Sequence, residues 1–286
     1  MNQKAFAIFV GAIMILSAFA GFVLRGSDQN VTVVGSDATS LQVFGVQGNL
    51  VDWDFGNLAD TLQMAPESTV MAYWLNLDAS QNLTAAAAAA LPQSLGMTYG
   101  SQLYSTKIER LAKVYFNNTW LEFHWIKPFA LGYSGLVVPY ENYMMIPTGT
   151  DYVTVMGKPT LFGTQDATRQ VIDVIAGGLP TDNFTLALGE SADLQVAALG
   201  RGGSSMPLSG NYKEFYLGVS TSNDTVLGGF NFTATYLQPA AVVSQTVKEL
   251  ADKNALTYTS EGSDVVVSGH LTEENLQGVL VALLKP

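Results

Sequence analysis

Residues 230–269, FNFTATYLQPAAVVSQTVKELADKNALTYTSEGSDVVVSG, hold one complete folding unit in the order strand, helix, hairpin. Phe230 to Leu237 reads as a strand, and Pro239 opens a helix that places Val243, Val247 and Leu250 on one face. Leu256 to Ser260 and Val265 to Gly269 then form a hairpin about the turn Glu261-Gly-Ser-Asp264. The same order recurs upstream. Asp151 to Met156 reads as a strand, and Thr164 caps a helix through Val171, Val174 and Ile175 that ends at Gly177-Gly178. Phe184 to Gly189 with Leu194 to Leu199 is the expected second hairpin. Gln170-Val-Ile-Asp-Val-Ile-Ala176 matches Gln245-Thr-Val-Lys-Glu-Leu-Ala251 in pattern, and the turn Glu190-Ser-Ala-Asp193 matches Glu261-Gly-Ser-Asp264 in charge and size.

Outward from this pair, Thr69 to Ile126 reads as a diverged third copy. TVMAYWLNL, residues 69–77, is apolar on both faces, as a central strand is. Ser80 or Asn82 opens a helix through the run Ala85 to Ala90, broken by Pro92 and Gly96. Leu111 to Ile126 forms a hairpin turning at Asn117-Asn118. Leu50 to Phe55 and Leu41 to Phe44 read as short strands, and Asn57 caps a short helix that Pro66 ends. The chain closes on a helix capped by Thr272, with Leu276, Val279, Leu280 and Leu283 at helical spacing. The fold class is therefore α+β, with repeated strand-helix-hairpin units, a mainly antiparallel sheet and helices on one face.

The domain organisation starts with Ala5 to Leu24, an unbroken apolar run between Lys4 and Arg25. At ~1.5 Å per residue it spans the ~30 Å of a bilayer core, so residues 1–25 are a signal anchor or a signal peptide. Lys4 and the α-amino group precede the run, which keeps the N-terminus cytoplasmic and exports the bulk of the chain. Ala18-Phe19-Ala20 has the form of a cleavage site, but the apolar run continues through Leu24, which favours a single-pass anchor over a secreted product. Residues 26–40 are a Gly, Ser, Asp and Thr stalk, 41–147 a first α+β lobe ending in the long loop Pro128 to Pro147, and 148–286 a second lobe holding two repeats.

Charge and cysteine content exclude several function classes. The formal net charge is −11, and no Lys or Arg lies between Gly26 and Thr106 against Asp28, Asp37, Asp52, Asp54, Asp60, Glu67 and Asp78. Such a surface repels nucleic acid. With no cysteine in the chain, disulfides, thiolate metal sites and a cysteine nucleophile are all ruled out. Six Asn-x-Thr sequons follow the apolar run, at Asn30, Asn82, Asn117, Asn183, Asn223 and Asn231, where composition alone predicts about two. They are glycosylation candidates for an exterior face.

Chemistry is sparse. His124 lies two residues from Glu122 on one strand face, a spacing that lets the pair hydrogen-bond or share a ligand; a strand histidine beside a solvated glutamate is the plainer reading. Asp52 and Asp54 likewise share a face, and paired carboxylates serve calcium or glycoside hydrolysis, although the oxygen-rich spacing of a calcium loop is missing. No cofactor or metal motif is found: Gly200-Arg201-Gly202-Gly203-Ser204-Ser205 lacks the Lys-Ser/Thr of a phosphate loop, and Gly132-Tyr133-Ser134-Gly135 misses the nucleophile-elbow spacing by one residue. His270, before a helix cap, reads as structural. Aromatic residues crowd Tyr115 to Tyr152, suited to core packing or to a surface partner. The expectation is a membrane-anchored cell-surface binding or assembly module that contacts the membrane through residues 5–24 and a surface protein or glycan through its ectodomain. The alternative is an exported hydrolase of cell-wall or extracellular polymer using Glu122, His124, Asp52 or Asp54.

Overall fold

The computed structural model describes residues 48–127, 137–201, 208–222 and 228–285. The apolar run 5–24, the stalk, the Leu41–Phe44 strand, Asn30, Asn223, residues 132–135 and most of the glycine-rich segment 200–205 lie outside them. Among the described residues no helix is long and apolar enough to cross a membrane.

The chain is α+β and built on one large antiparallel sheet. Its strands are β2 (Thr69–Asn76), β3 (Lys107–Phe116), β4 (Thr119–Lys127), β5 (Val138–Tyr140), β6 (Tyr143–Thr148), β7 (Tyr152–Val155), β9 (Thr160–Gly163), β10 (Leu194–Leu199), β11 (Glu214–Thr221), β12 (Phe230–Leu237), β13 (Thr257–Glu261) and β14 (Asp264–Leu271), in the spatial order β13-β14-β12-β11-β10-β2-β3-β4-β9-β7-β6-β5. Two short strands, β1 (Val51–Asp52) and β8 (Gly157–Lys158), pair parallel beside it. The helices are α1 (Leu58–Leu62), α2 (Gln81–Ala90), α3 (Leu95–Tyr104), α4 (Gln165–Ile175), α5 (Ala241–Lys253) and α6 (Glu273–Leu284).

Both faces of this sheet are covered, which corrects the expectation of helices on one side. The strand β2 sends Met71, Tyr73 and Leu75 into one core, with α2, α3, α5 and α6 packed over it. Ala72 and Trp74 go into a second core under α1 and α4. Alternation explains this: successive side chains of a strand point to opposite faces, so a strand apolar throughout needs a layer on each.

The unit at 230–269 forms as read, with β12, α5, β13 and β14 in order and the β13–β14 hairpin at the sheet edge. The upstream copy diverges at its hairpin. β10 has no partner in residues 184–189; it pairs with β11 on one side and β2 on the other, so strands from either side of residue 148 alternate in the sheet. Phe184 and Ala187 are buried within a run of turns. That segment is held by Glu214, which is 1% exposed and accepts hydrogen bonds from the Thr185 hydroxyl at 2.7 Å and the Leu186 N–H at 2.8 Å. The Leu186 N–H, which a strand would offer to a neighbour, is thereby committed to a buried carboxylate. Part of the expected long loop also folds, as the β5–β6 hairpin.

Candidate functional site

The β3–β4 hairpin brings the chemically richest side chains together. Asn117 and Asn118 turn it in the left-handed region, φ 47° and 59°, as an Asn-rich two-residue turn does. On β4, Glu122 and His124 point to the α3 side, and Lys113 faces Glu122 across the ladder. Glu122 and His124 are 0% exposed.

The helix α3 sits on this pair because two glycines let it. Gly96 and Gly100, one turn apart, are buried with Tyr104 one turn further on. A Cβ on Gly96 would stand 2.4 Å from His124 Nε2 and 2.5 Å from Leu111 Cδ1, and one on Gly100 would stand 2.7 Å from Ile108 Cδ1. Gly96, expected to break the preceding helix, is instead the second residue of a new one, because only a bare Cα permits this approach.

With α3 that close, its N-terminus donates into the Glu122 carboxylate. Leu95 N–H reaches Oε1 at 3.0 Å and Gly96 N–H reaches Oε2 at 2.8 Å, satisfying two of the donors that every helix start leaves open. Lys113 Nζ lies 3.1 Å from Oε1, donates to the Gln93 carbonyl at 2.7 Å, and stands 4.0 Å over the Trp120 ring. His124 Nε2 donates to Oε2 at 3.0 Å. Its Nδ1 stands 2.7 Å from the Tyr104 hydroxyl, so both ring nitrogens have a partner.

The electrostatics follow from those contacts. Burial pushes the Glu122 carboxyl up, but the His124 hydrogen bond, the charges of His124 and Lys113 and the Gly96 N–H outweigh it and hold the group at about 2. Burial lowers the Lys113 ammonium, and Glu122 opposes that shift. Tyr104 is raised well above the usual phenol range by burial and then by the Glu122 charge, so it keeps its proton. Glu122 thus has two partners on each oxygen and no open side.

The other predicted residues lie apart. Asp52, at the end of β1, and Asp54 are exposed, and neither is among the partners of Glu122 or His124. The four acid and imidazole candidates therefore form one buried pair and two separate surface carboxylates. No group of three or more His, Asp or Glu side chains suited to a metal occurs among the described residues. Asn82 on the first turn of α2, Asn117 in the hairpin turn and Asn231 on β12 are exposed. Asn183 is half-buried and its side-chain amide donates to the Glu67 carbonyl at 2.9 Å.

Several concavities open among the described residues, and two of them border the β3 strand. One, of about 680 Å³, runs between α2 and α3 over small side chains such as Thr84, Ala85, Ala88 and Ser101. The other, of about 540 Å³, is polar and includes Trp74, Asn76, Arg110 and Asp193. Sequence reading missed the polar one: its residues come from distant strands and carry no motif.

No family model and no curated protein matches the chain. Solved structures of TP0453 are similar in outline: crystal form I at 8% identity, over 79% of this chain and 98% of that one, with a TM-score of 0.49, and crystal form III at 8% identity, over 78% and 98%, with a TM-score of 0.44. At those scores the likeness supports no argument about what this chain does.

Proposed function

We propose that the chain is a single-pass, membrane-anchored extracytoplasmic protein whose α+β domain binds or assembles with a partner and does not turn it over. The apolar run at residues 5–24, long enough for one crossing, the excess of sequons and the acidic composition support its address. The observation that carries the non-catalytic half is the saturation of Glu122. A general acid or base needs reach to substrate and a pKa near the working pH, whereas Glu122 is 0% exposed, holds two partners on each oxygen and sits at about 2. Its chemistry is spent on fixing α3 to the sheet. The hydrolase alternative keeps only the separate surface acids Asp52 and Asp54.

Protease shaving of intact producing cells, with mass mapping of the released and retained peptides, tests the address. The expected outcome is residues 5–24 intact in the membrane fraction, ectodomain peptides released from outside, and glycan on Asn82, Asn117 or Asn231. An ectodomain protected until lysis removes the reading. For the non-catalytic half, the purified chain is incubated with cell-wall and extracellular polysaccharide. Retention without new reducing ends is expected, and turnover abolished by Asp52→Asn or Asp54→Asn would install the hydrolase instead.

A further inference from the structure

The polar concavity at the sheet end is built by neighbouring strands. On β2, Trp74 and Asn76 both face the α1 and α4 side, because they are two residues apart. Asn76 stands opposite Arg110 on β3, and Arg110 opposite Trp125 on β4. Asp193, two residues before Gln195 on β10, joins from the other side, and Ser220 on β11 completes the row. A register shift between Ile108 and Arg110 lets Ile108 enter the opposite core while Arg110 faces this one. Such bulges redirect single side chains where a site needs them.

The hydrogen-bonding state of this row differs from that of a structural network. Asp193 is held open by Asn76 Nδ2 on Oδ1 at 3.3 Å and the Thr221 N–H on Oδ2 at 2.8 Å, which leaves lone pairs on both oxygens. Arg110 donates through Nη1 to the Phe55 carbonyl at 3.2 Å and lies 5.5 Å over the Trp125 ring. Among the described residues it has no ion-pair partner. Trp74 is 4% exposed, lines the concavity, and its buried indole N–H has no acceptor. A buried N–H without a partner is costly, so an acceptor arriving here would be favoured from the outset.

We propose that this row is a binding site for a hydroxylated carboxylic acid of monosaccharide size, a ligand of the sugar-acid class. The guanidinium of Arg110 offers a planar fork that matches one carboxylate, and the Trp74 N–H can only donate, so it too requires an acceptor. Asp193, Asn76, Ser191 and Ser220 supply the acceptors and donors that hydroxyl groups need. A volume of about 540 Å³ suits a single sugar ring. Asp193 and the −11 charge of the chain select against a phosphate dianion and leave a monoanion as the better fit. The site goes beyond the anchored-binding reading and does not depend on the membrane segment.

The test is calorimetric titration of the full-length chain in detergent micelles with D-glucuronate, and with glucose, acetate and inorganic phosphate as comparisons. The Trp74 indole N–H resonance, identified by its loss in Trp74→Phe, is followed in parallel. Glucuronate is expected to bind saturably and to shift that resonance, with each comparison compound at least about tenfold weaker. Arg110→Gln is expected to weaken glucuronate binding about tenfold or more, and Trp74→Phe several-fold. Trp74→Phe keeps an aromatic ring in place, so it decides the matter even if Arg110→Gln folds poorly. Absence of saturable glucuronate binding, equal binding of glucose, acetate or phosphate, or an indole resonance that never moves would overturn the assignment. Such a failure would leave the shaving result untouched, so the two readings fall separately.

Discussion

The same hairpin, β3–β4, carries two polar constellations on its opposite faces, and they differ in what they leave open. On the α3 side, Glu122, His124, Lys113 and Tyr104 are sealed and mutually satisfied. On the α1 and α4 side, Arg110, Asn76, Asp193 and Trp74 line a concavity, with a cation free of ion pairs among the described residues and an indole N–H without an acceptor. By residue type alone, Glu122 with His124 suggests catalysis and the Arg110 row suggests no chemistry. Burial and satisfaction reverse that ranking: a closed network stabilises a fold, while an open one with unmet donors is what a ligand can complete.

The sharpest way to break the comparison is to remove the centre of the sealed cluster. Glu122→Ala leaves Lys113 buried without its counter-ion and strips the α3 start of its acceptor, and it is expected to lower unfolding free energy by about 3–5 kcal/mol in chemical denaturation. A loss below about 1 kcal/mol would mean that α3 is held by packing alone. Next in size, Gly96→Ala is expected to cost about 1–3 kcal/mol, because the new methyl meets His124 and Leu111 and the helix-propensity gain is smaller. Gly100→Ala should cost less, since the atom it meets is the free end of Ile108.

The sealed cluster also carries a pH signature. Glu122 is depressed from 4.5 to about 2 in the fold, so its stabilisation is complete above the unfolded value and is lost as pH falls from about 4.5 through about 2. Urea midpoints measured across that window should fall, and Glu122→Gln should flatten the fall. At the small end, Arg110→Lys on the open row should change stability by about 0.5 kcal/mol or less while weakening glucuronate binding several-fold, because Lys keeps the charge and lacks the planar fork. The two faces would then be separated by their readouts, one in stability and the other in ligand.

Glycan mapping adds a smaller contrast. Asn82 and Asn231 present exposed amides, Asn117 must release the exposed Gln170 side chain, and half-buried Asn183 must release the Glu67 carbonyl, so occupancy at Asn183 should be the lowest of the four.

Much of the fold was legible in local signals. Ser80 and Thr164 cap their helices through side-chain bonds to Leu83 and Ala167, and Asn57 closes a capping box with Asp60. The two-faced apolarity of TVMAYWLN put β2 in the interior of the sheet, where it is sixth of twelve strands. The α3 helix was hidden because its glycines read as breakers, and β11 because nothing in its sequence distinguished it. Of the candidate site, the Glu122–His124 pairing was visible as a two-residue spacing on one strand. Its partners were not: Leu95, Gly96, Tyr104 and Lys113 enter only through helix placement and strand pairing.

The amino-acid order by itself determined what depends on neighbours along the chain: the apolar run and its flanking charges, the caps and turns, the unit at 230–269, the absence of thiol chemistry. The tertiary structure alone decided what depends on strand adjacency. That β10 lies against β2 brings Asp193 to Asn76 and so to Arg110, and that Gly96 admits α3 closes off Glu122. The reason is physical. Local propensities act over a few residues, whereas the burial of a carboxylate or the lack of an acceptor at an indole N–H is set by chain segments distant in sequence competing for the same faces of one sheet.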